Sequence, residues 1–175
     1  MLEAAERCVA RDGLAQLGIA GVAAEAGVSR PTVYRYFQDR RELIQATLMR
    51  SGEALSSRVA DHLSGFDDPG AMALETVRLS LRATQRDPLL RQVWTNASLD
   101  ASALAGFTQP FAIALTERAI RPLADAAGWS ARESTEASET LMRFVLSLLA
   151  APGPSRSDAA LRGYLRRRLL PALGL

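Results

Sequence analysis

Lysine is absent from this 175-residue chain, so all 21 of its basic residues are arginine. This excludes Schiff-base chemistry, the lysine of phosphate-binding P-loops and every other mechanism that needs a lysine amine. A single cysteine, Cys8, and a single histidine, His62, exclude a disulfide framework and a zinc site rich in these residues. No apolar run reaches the roughly 18 residues of a membrane span, and the acidic N-terminus is unlike a signal peptide. We therefore expect a protein of the reducing cytoplasm, with no membrane partner and with Cys8 in the core.

Hydrophobic residues make up 48% of the chain, which is enough to bury a core. Alanine, leucine, arginine and glutamate dominate, all of them good helix formers, and no segment alternates β-branched with polar residues. These features predict an all-α fold. Helix start and stop signals divide the chain into about nine helices, over residues 2–12, 19–26, 30–37, 39–63, 69–86, 88–94, 107–127, 130–151 and 155–170.

The start signals are local and specific. Asp39 followed by Glu42, and Ser130 followed by Glu133, match the capping-box pattern. Asp-Pro pairs at 68–69 and 87–88 each provide an N-cap followed by proline in the first helical position. Pro122 is expected to kink the helix over 107–127.

Residues 19–37 predict two short helices joined by a tight turn. Ala23 is small where the helices approach closely, and Gly27 can adopt the left-handed conformation that ends the first helix. Ser29 can cap the second helix, and Val28 and Val33 are expected to face the core. This is the arrangement of the helix-turn-helix, whose second helix enters the DNA major groove.

A plain helical corner without a role in DNA binding would show much the same spacing. The surface of the second helix favours DNA, because arginine and hydroxyl groups hold phosphates and arginine also reads guanine. Residues 27–50 contain five arginines and two acidic residues, a local charge of +3. The groups that crowd this surface are Arg30, Thr32, Tyr34, Arg35 and Tyr36.

This region resembles the signature of the TetR family of bacterial regulators. The resemblance is carried by Ala26-Gly27-Val28-Ser29, Thr32-Val33-Tyr34-Arg35-Tyr36-Phe37, Arg40 and Leu43. It implies a DNA-binding head over residues 1–47 and a helical ligand-binding and dimerisation body over 48–175. It also implies base contacts from Arg30, with Pro31 and Arg35, and phosphate contacts from the start of the recognition helix at Ser29 and from Thr32, Tyr34, Tyr36 and Arg40.

Two features depart from the family pattern. Gly18 stands where the family usually has a threonine N-cap, a change that costs at most about 1 kcal/mol. The family also usually has a short basic arm before the first helix, whereas this sequence begins inside that helix. We expect either a trimmed sequence or the loss of that arm's DNA contacts.

A homodimer is expected because a palindromic operator mirrors the two-fold symmetry of the protein that binds it. Residues 141–149 are apolar around most of the helix, so they need a second buried face. A central core helix without a partner is the alternative. The predicted interface residues are Leu141, Val145, Leu148, Leu161, Tyr164 and Leu165.

Bulky residues on the middle helices are candidates for a pocket that would accept a small apolar or amphipathic molecule. Each is also suited to the ordinary core. The predicted pocket residues are Met72, Trp94, Phe107, Phe111, Met142 and Phe144. Polar contacts could come from His62, Thr95 and Asn96, although His62 is equally suited to the surface or to a helix cap.

The run Arg166-Arg167-Arg168 is interpreted as a solvated face or interface rim, with Glu133, Glu136 and Glu139 as its pairing partners, rather than as a nucleic-acid patch. The sequence as a whole predicts a transcriptional regulator, most specifically a repressor released from DNA by a small molecule. A helix-turn-helix regulator without an effector is the alternative. We expect no enzyme and no cofactor, because no constellation of nucleophile, base and metal ligands is present.

Overall fold

The computed structural model describes residues 1–95 and 110–175, with side chains described up to Arg91 and from Pro110. This part of the chain is helical and contains no strand, as predicted. It holds ten α-helices: α1 Leu2–Asp12, α2 Ile19–Ala26, α3 Arg30–Tyr34, α4 Arg40–Leu63, α5 Pro69–Arg86, α6 Pro88–Thr95, α7 Pro110–Ala119, α8 Arg121–Ala127, α9 Ala131–Ala150 and α10 Asp158–Arg168. Short 3₁₀ turns span Leu14–Gln16 and Pro171–Leu173.

The helix starts confirm the local signals. The Asp39 carboxylate accepts the Glu42 amide at 2.8 Å, and Asp68 accepts the Ala71 amide at 2.6 Å. Ser130 and Glu133 form a complete capping box at the start of α9. The last helix begins at Asp158 after its N-cap Ser157, within the start predicted over residues 155–158.

Pro122 breaks its helix rather than kinking it. The chain leaves helical geometry at Ile120, and Pro122 then lies in the first turn of a new helix, where its missing N–H removes no hydrogen bond. The expected single helix over 107–127 is therefore two helices, α7 and α8, in the described residues. This split raises the helix count above nine.

The chain packs into two compact units. The first comprises Met1–Glu53 with Thr84–Ser98, and the second comprises Ala54–Ala83 with Leu99–Leu175. The first unit thus extends along α4 to Glu53 and includes all of α6, whereas the predicted division at residue 47 assigns residues 48–53 and α6 to the body.

The core of the first unit is formed by α1, α2, α3 and the start of α4, with Leu89 of α6. Cys8 is buried there, as predicted. Val33 of α3 and Leu43 of α4 are fully buried and anchor their helices to α1 and α2. The second unit has a larger core, contributed by α4, α5, α8, α9 and α10. No helix in the described ranges is both long and apolar enough to cross a membrane.

Candidate nucleic-acid interface

The turn between α2 and α3 has the predicted helix-turn-helix conformation. Gly27 ends α2 with φ 66° and ψ 31°, in the left-handed region. The Val28 amide then donates to the Ala23 carbonyl at 3.0 Å, which closes the end of α2. Ala23 is buried, as its small size predicts. A side chain at residue 27 would be strained by this positive φ.

Val28 corrects one expectation. It was predicted to face the core with Val33, but 37% of it is exposed. Val28 follows the left-handed glycine of the turn and is more exposed there than Val33, which is fully buried. Val28 therefore adds an apolar group to the surface beside α3.

Helix α3 begins with the predicted cap. The Ser29 hydroxyl accepts the Thr32 amide at 3.3 Å and lies 2.8 Å from the Thr32 hydroxyl. Pro31 occupies the first turn, where a donor is not needed. The helix is shorter than predicted, because Tyr34 is its last residue and Arg35 is its C-cap.

The side chains around α3 form an exposed basic and aromatic surface. Tyr34 is 55% exposed and Tyr36 is 59% exposed, in a structure with few exposed large apolar groups among its described residues. Arg30 and Arg35 are exposed beside them. Val33 and Phe37 are buried on the opposite side and fix this surface to the first unit. The arrangement presents two phenol hydroxyls and two guanidinium groups to solvent, a suitable donor set for a phosphate backbone.

Arg40 is placed differently from the other predicted DNA ligands. Its Nε donates to the Leu17 carbonyl at 2.6 Å. Its Nη2 donates to the carbonyls of Leu14 at 3.1 Å and Ala15 at 3.0 Å. The guanidinium is thus directed at the backbone just before α2, a contact that sequence reasoning did not find because no local pattern signals it.

An ionic clasp joins α1 to α2. Arg7 and Arg11 of α1 each donate to the Glu25 carboxylate of α2, at 2.7 Å in both cases. These two hydrogen bonds hold the pKa of Glu25 below its ordinary value of 4.5. The clasp orients the first helix of the predicted motif, although its residues are too far apart in sequence to be paired by inspection.

The clasp predicts an acid-dependent loss of stability. Because the pKa of Glu25 is lower in the folded chain than in the unfolded chain, its contribution is complete above pH 4.5 and is lost as the pH falls through the folded pKa. We expect the unfolding temperature of Glu25→Gln to fall less steeply than that of the parent between pH 5 and pH 3. Glu53→Gln, at an exposed position on α4, is the matched control and should follow the parent. Parallel pH profiles for Glu25→Gln and the parent would contradict this role.

The predicted pocket residues are found in different environments. Met72 is buried in the core of the second unit, and Phe144 packs against the same core. Phe111 is 39% exposed, and Met142 is partly buried. Phe107, Asn96 and the side chains of Trp94 and Thr95 lie outside the described residues. His62 is exposed; its ring lies 5.1 Å from that of Phe66.

The predicted interface residues divide into two groups. Leu141 and Leu165 are buried within the second unit of the single chain. The other four, Val145, Leu148, Leu161 and Tyr164, are partly buried and pack against the core of the second unit.

The arginines at 166–168 are all exposed at the end of α10. Within the chain the glutamates of α9 have other partners, since Glu133 caps its own helix, Glu136 pairs with Arg132 and Glu139 pairs with Arg143. The predicted pairing with residues 166–168 therefore does not occur within the described part of one chain. In the part of the chain that the structure describes, no group of three or more histidine, cysteine or acidic side chains is arranged to hold a metal ion.

Sequence comparison finds known proteins that are similar to the region containing this surface. Residues 1–47 match the family model described as bacterial regulatory proteins, tetR family. The HTH-type transcriptional repressor KstR of Rhodococcus jostii is 36% identical over 115 residues, which are 62% of this chain and 51% of that repressor. An uncharacterised HTH-type transcriptional regulator of Mycobacterium tuberculosis is 30% identical over 95 residues, 54% of this chain and 47% of that protein. The chain thus spans about half the length of the curated relatives it matches.

Structure comparison shows the same fold over nearly the whole chain. The TetR family repressor AlkX from Dietzia sp., implicated in biodegradation of n-alkanes, has a TM-score of 0.70 at 24% identity and covers 99% of this chain and 95% of its own. RolR in complex with the ligand resorcinol has a TM-score of 0.62 at 20% identity, with 99% of this chain and 89% of that chain covered. At these identities the likeness establishes the fold.

Proposed function

We propose that this chain is a DNA-binding regulator of the tetR family, whose model matches residues 1–47, and that it represses transcription from a palindromic operator as a homodimer. The observation that carries the proposal is the exposed surface of α3, with Tyr34 and Tyr36 more than half exposed beside Arg30 and Arg35. Exposed aromatic rings are unfavourable in water, and here each ring carries a hydroxyl that can donate to a phosphate. A role on bacterial DNA also implies a cytoplasmic protein.

The contacts are assigned by position on α3. Arg30 is the first residue of the helix, and the N-terminal residues of a recognition helix contact base edges. Arg35 and Pro31 flank that contact. Thr32, Tyr34 and Tyr36 contact phosphates, together with the backbone amide of Arg30, because Pro31 has no N–H and the Thr32 amide donates to Ser29.

The dimer places two copies of α3 in successive major grooves, about 34–36 Å apart. The partly exposed apolar residues of α9 and α10 form its interface, since such a face is stable when a second copy covers it. The interface residues in this proposal are Val145, Leu148, Leu161 and Tyr164.

A small apolar molecule bound in the second unit is the proposed release signal. Helix α4 contributes residues to both units, so a shift of this helix would change the spacing of the two recognition helices. A hundredfold loss of DNA affinity needs a coupling free energy of about 2.7 kcal/mol. The complex of the similar protein RolR with resorcinol supports this type of response. The alternative, a regulator without an effector, predicts a DNA affinity that no bound small molecule changes.

Arg30→Ala tests the assignment of base readout. We expect its binding to the preferred sequence to weaken by about 1–3 kcal/mol and its preference to relax at one base position in each half-site. Binding to unrelated DNA should change far less. Fluorescence anisotropy against a set of single-base operator variants measures both effects. An unchanged base preference would contradict the assignment, and Arg58→Ala, at an exposed position of α4 outside the proposed surface, is the control for the loss of one arginine.

A further inference from the structure

The first turn of α2 lacks the side-chain cap that the next two helices, α3 and α4, have. Ser29 caps α3 and Asp39 caps α4, each through a side-chain oxygen. At the start of α2, Gly18 has the extended backbone of an N-cap, with φ −156° and ψ 163°, and no side-chain cap hydrogen bond. Glycine provides no oxygen for the amides of the first turn, so the start of α2 needs another source of order.

Arg40 supplies contacts to the segment immediately before this start. Its guanidinium reaches three carbonyls within four residues, those of Leu14, Ala15 and Leu17. The two side chains that flank Gly18, those of Leu17 and Ile19, are buried in the core of the first unit. Holding the 14–17 backbone in place therefore fixes where α2 enters the core.

The geometry suits the planar fork of a guanidinium. Two different nitrogens of one group donate to carbonyls of a single turn, whereas an ammonium group would have to serve all three carbonyls from one nitrogen on a different stem. Both donating nitrogens of Arg40 are directed at the backbone of residues 14–17.

We propose that Arg40 is a positioning residue, which fixes the start of α2 in place of the missing N-cap and so orients the recognition helix, rather than a phosphate ligand. The inference refines the proposed function and rests on it for its effect on DNA. Its structural part, the dependence of the head on Arg40, can be measured without DNA.

The test compares Arg40→Gln, Arg40→Lys and the double variant Gly18→Ser with Arg40→Gln. A Cβ at residue 18 would lie 4.0 Å from the nearest atom, the Gln16 carbonyl oxygen, so serine fits the N-cap without strain. We expect both single variants at Arg40 to lower the unfolding temperature by about 2–4 °C. Gly18→Ser should restore most of that loss. Arg41→Gln, which removes the same charge from the next residue, should unfold like the parent.

DNA binding separates the two roles of Arg40. A phosphate ligand contributes about 0.9 to the slope of log affinity against log salt, so its removal lowers the slope and lysine restores it. A positioning residue leaves the slope unchanged, and both Arg40 variants then bind about fivefold more weakly, an effect that Gly18→Ser reverses.

Two results would overturn the inference. One is an Arg40→Gln variant that unfolds at the same temperature as the parent but shows a reduced slope of log affinity against log salt. The other is a failure of Gly18→Ser to restore the unfolding temperature of Arg40→Gln. If the parent itself binds no DNA, the proposed function fails, while the unfolding series still decides whether Arg40 positions α2.

Discussion

Replacing Tyr34 and Tyr36 together by alanine is expected to weaken binding to every DNA sequence about a hundredfold, without changing which sequence is preferred. Each phenol hydroxyl in the proposed complex donates to a charged phosphate oxygen, and such a bond contributes about 1.5 kcal/mol at the low end of its range. Two of them amount to about 3 kcal/mol, slightly more than a hundredfold. Affinity is measured by anisotropy on the preferred site and on unrelated DNA at one salt concentration.

The phenylalanine pair separates the hydroxyls from the rings. If the hydroxyls donate to phosphates, Tyr34→Phe with Tyr36→Phe loses nearly as much affinity as the alanine pair. Because the rings are 55% and 59% exposed, neither double variant should unfold at a lower temperature than the parent. If the alanine pair bound DNA as tightly as the parent, α3 would not be part of the DNA interface.

The second large effect is expected at Glu75, a buried carboxylate in the second unit. Its side chain is only 8% exposed and has basic partners from three helices. Arg78 of α5 donates to it at 2.7 Å, Arg162 of α10 donates at 2.6 Å, and His62 of α4 lies 3.8 Å away. Asp158 extends the cluster by pairing with Arg78 and with Arg82.

The cluster holds Arg78 in its charged form. Desolvation alone would lower the pKa of this guanidinium, but the hydrogen bonds and charges of Glu75 and Asp158 outweigh it, and the net effect raises the pKa. Removing the carboxylate would leave Arg78, only 17% exposed, with Asp158 as its remaining partner among the described residues. Breaking a buried ion pair from one side is costly because it leaves an uncompensated charge in a poorly solvated place.

We therefore expect Glu75→Gln to lower the free energy of unfolding by about 2–3 kcal/mol, less than the 3–5 kcal/mol of a fully buried pair because Arg162 is half exposed. Glu136→Gln breaks an exposed pair with Arg132 on α9 and should cost less than about 0.5 kcal/mol. Chemical denaturation measures both. In a double-mutant cycle, Glu75→Gln and Arg162→Gln should cost less together than the sum of their separate losses. A loss at Glu75 equal to that at Glu136 would show that the cluster contributes little to stability.

Local chemistry explains which features could be predicted from the sequence. A cap acts on an amide two or three residues away, so Ser29, Asp68 and Ser130 could each be interpreted from a short segment. The left-handed turn at Gly27 is equally local. The fold class follows from the same signals, because helices with clear ends and one apolar face have few ways to pack other than as an all-α fold.

The features that were missed depend on contacts distant in sequence. Arg40 contacts carbonyls 23 to 26 residues away, and no local pattern distinguishes that role from a phosphate contact. Val28 was assigned to the core from its apolar character, but burial beside a turn depends on what packs there. The Glu75 cluster did leave a signal, an acidic residue within the otherwise apolar or small buried run 72–77. An acidic residue in such a run requires a cationic partner, although the sequence does not show which one.

Selection of binding sequences from random double-stranded DNA by the 175-residue protein tests the central claim most directly. The proposed function predicts one enriched sequence, an inverted repeat whose half-site centres lie about 10 base pairs apart. The Tyr34 and Tyr36 alanine pair should fail to enrich it, and Arg30→Ala should enrich a version degenerate at one position in each half. Absence of any enriched sequence with the parent protein, or equal enrichment by the alanine pair, would contradict the assignment of α3 as a DNA recognition helix.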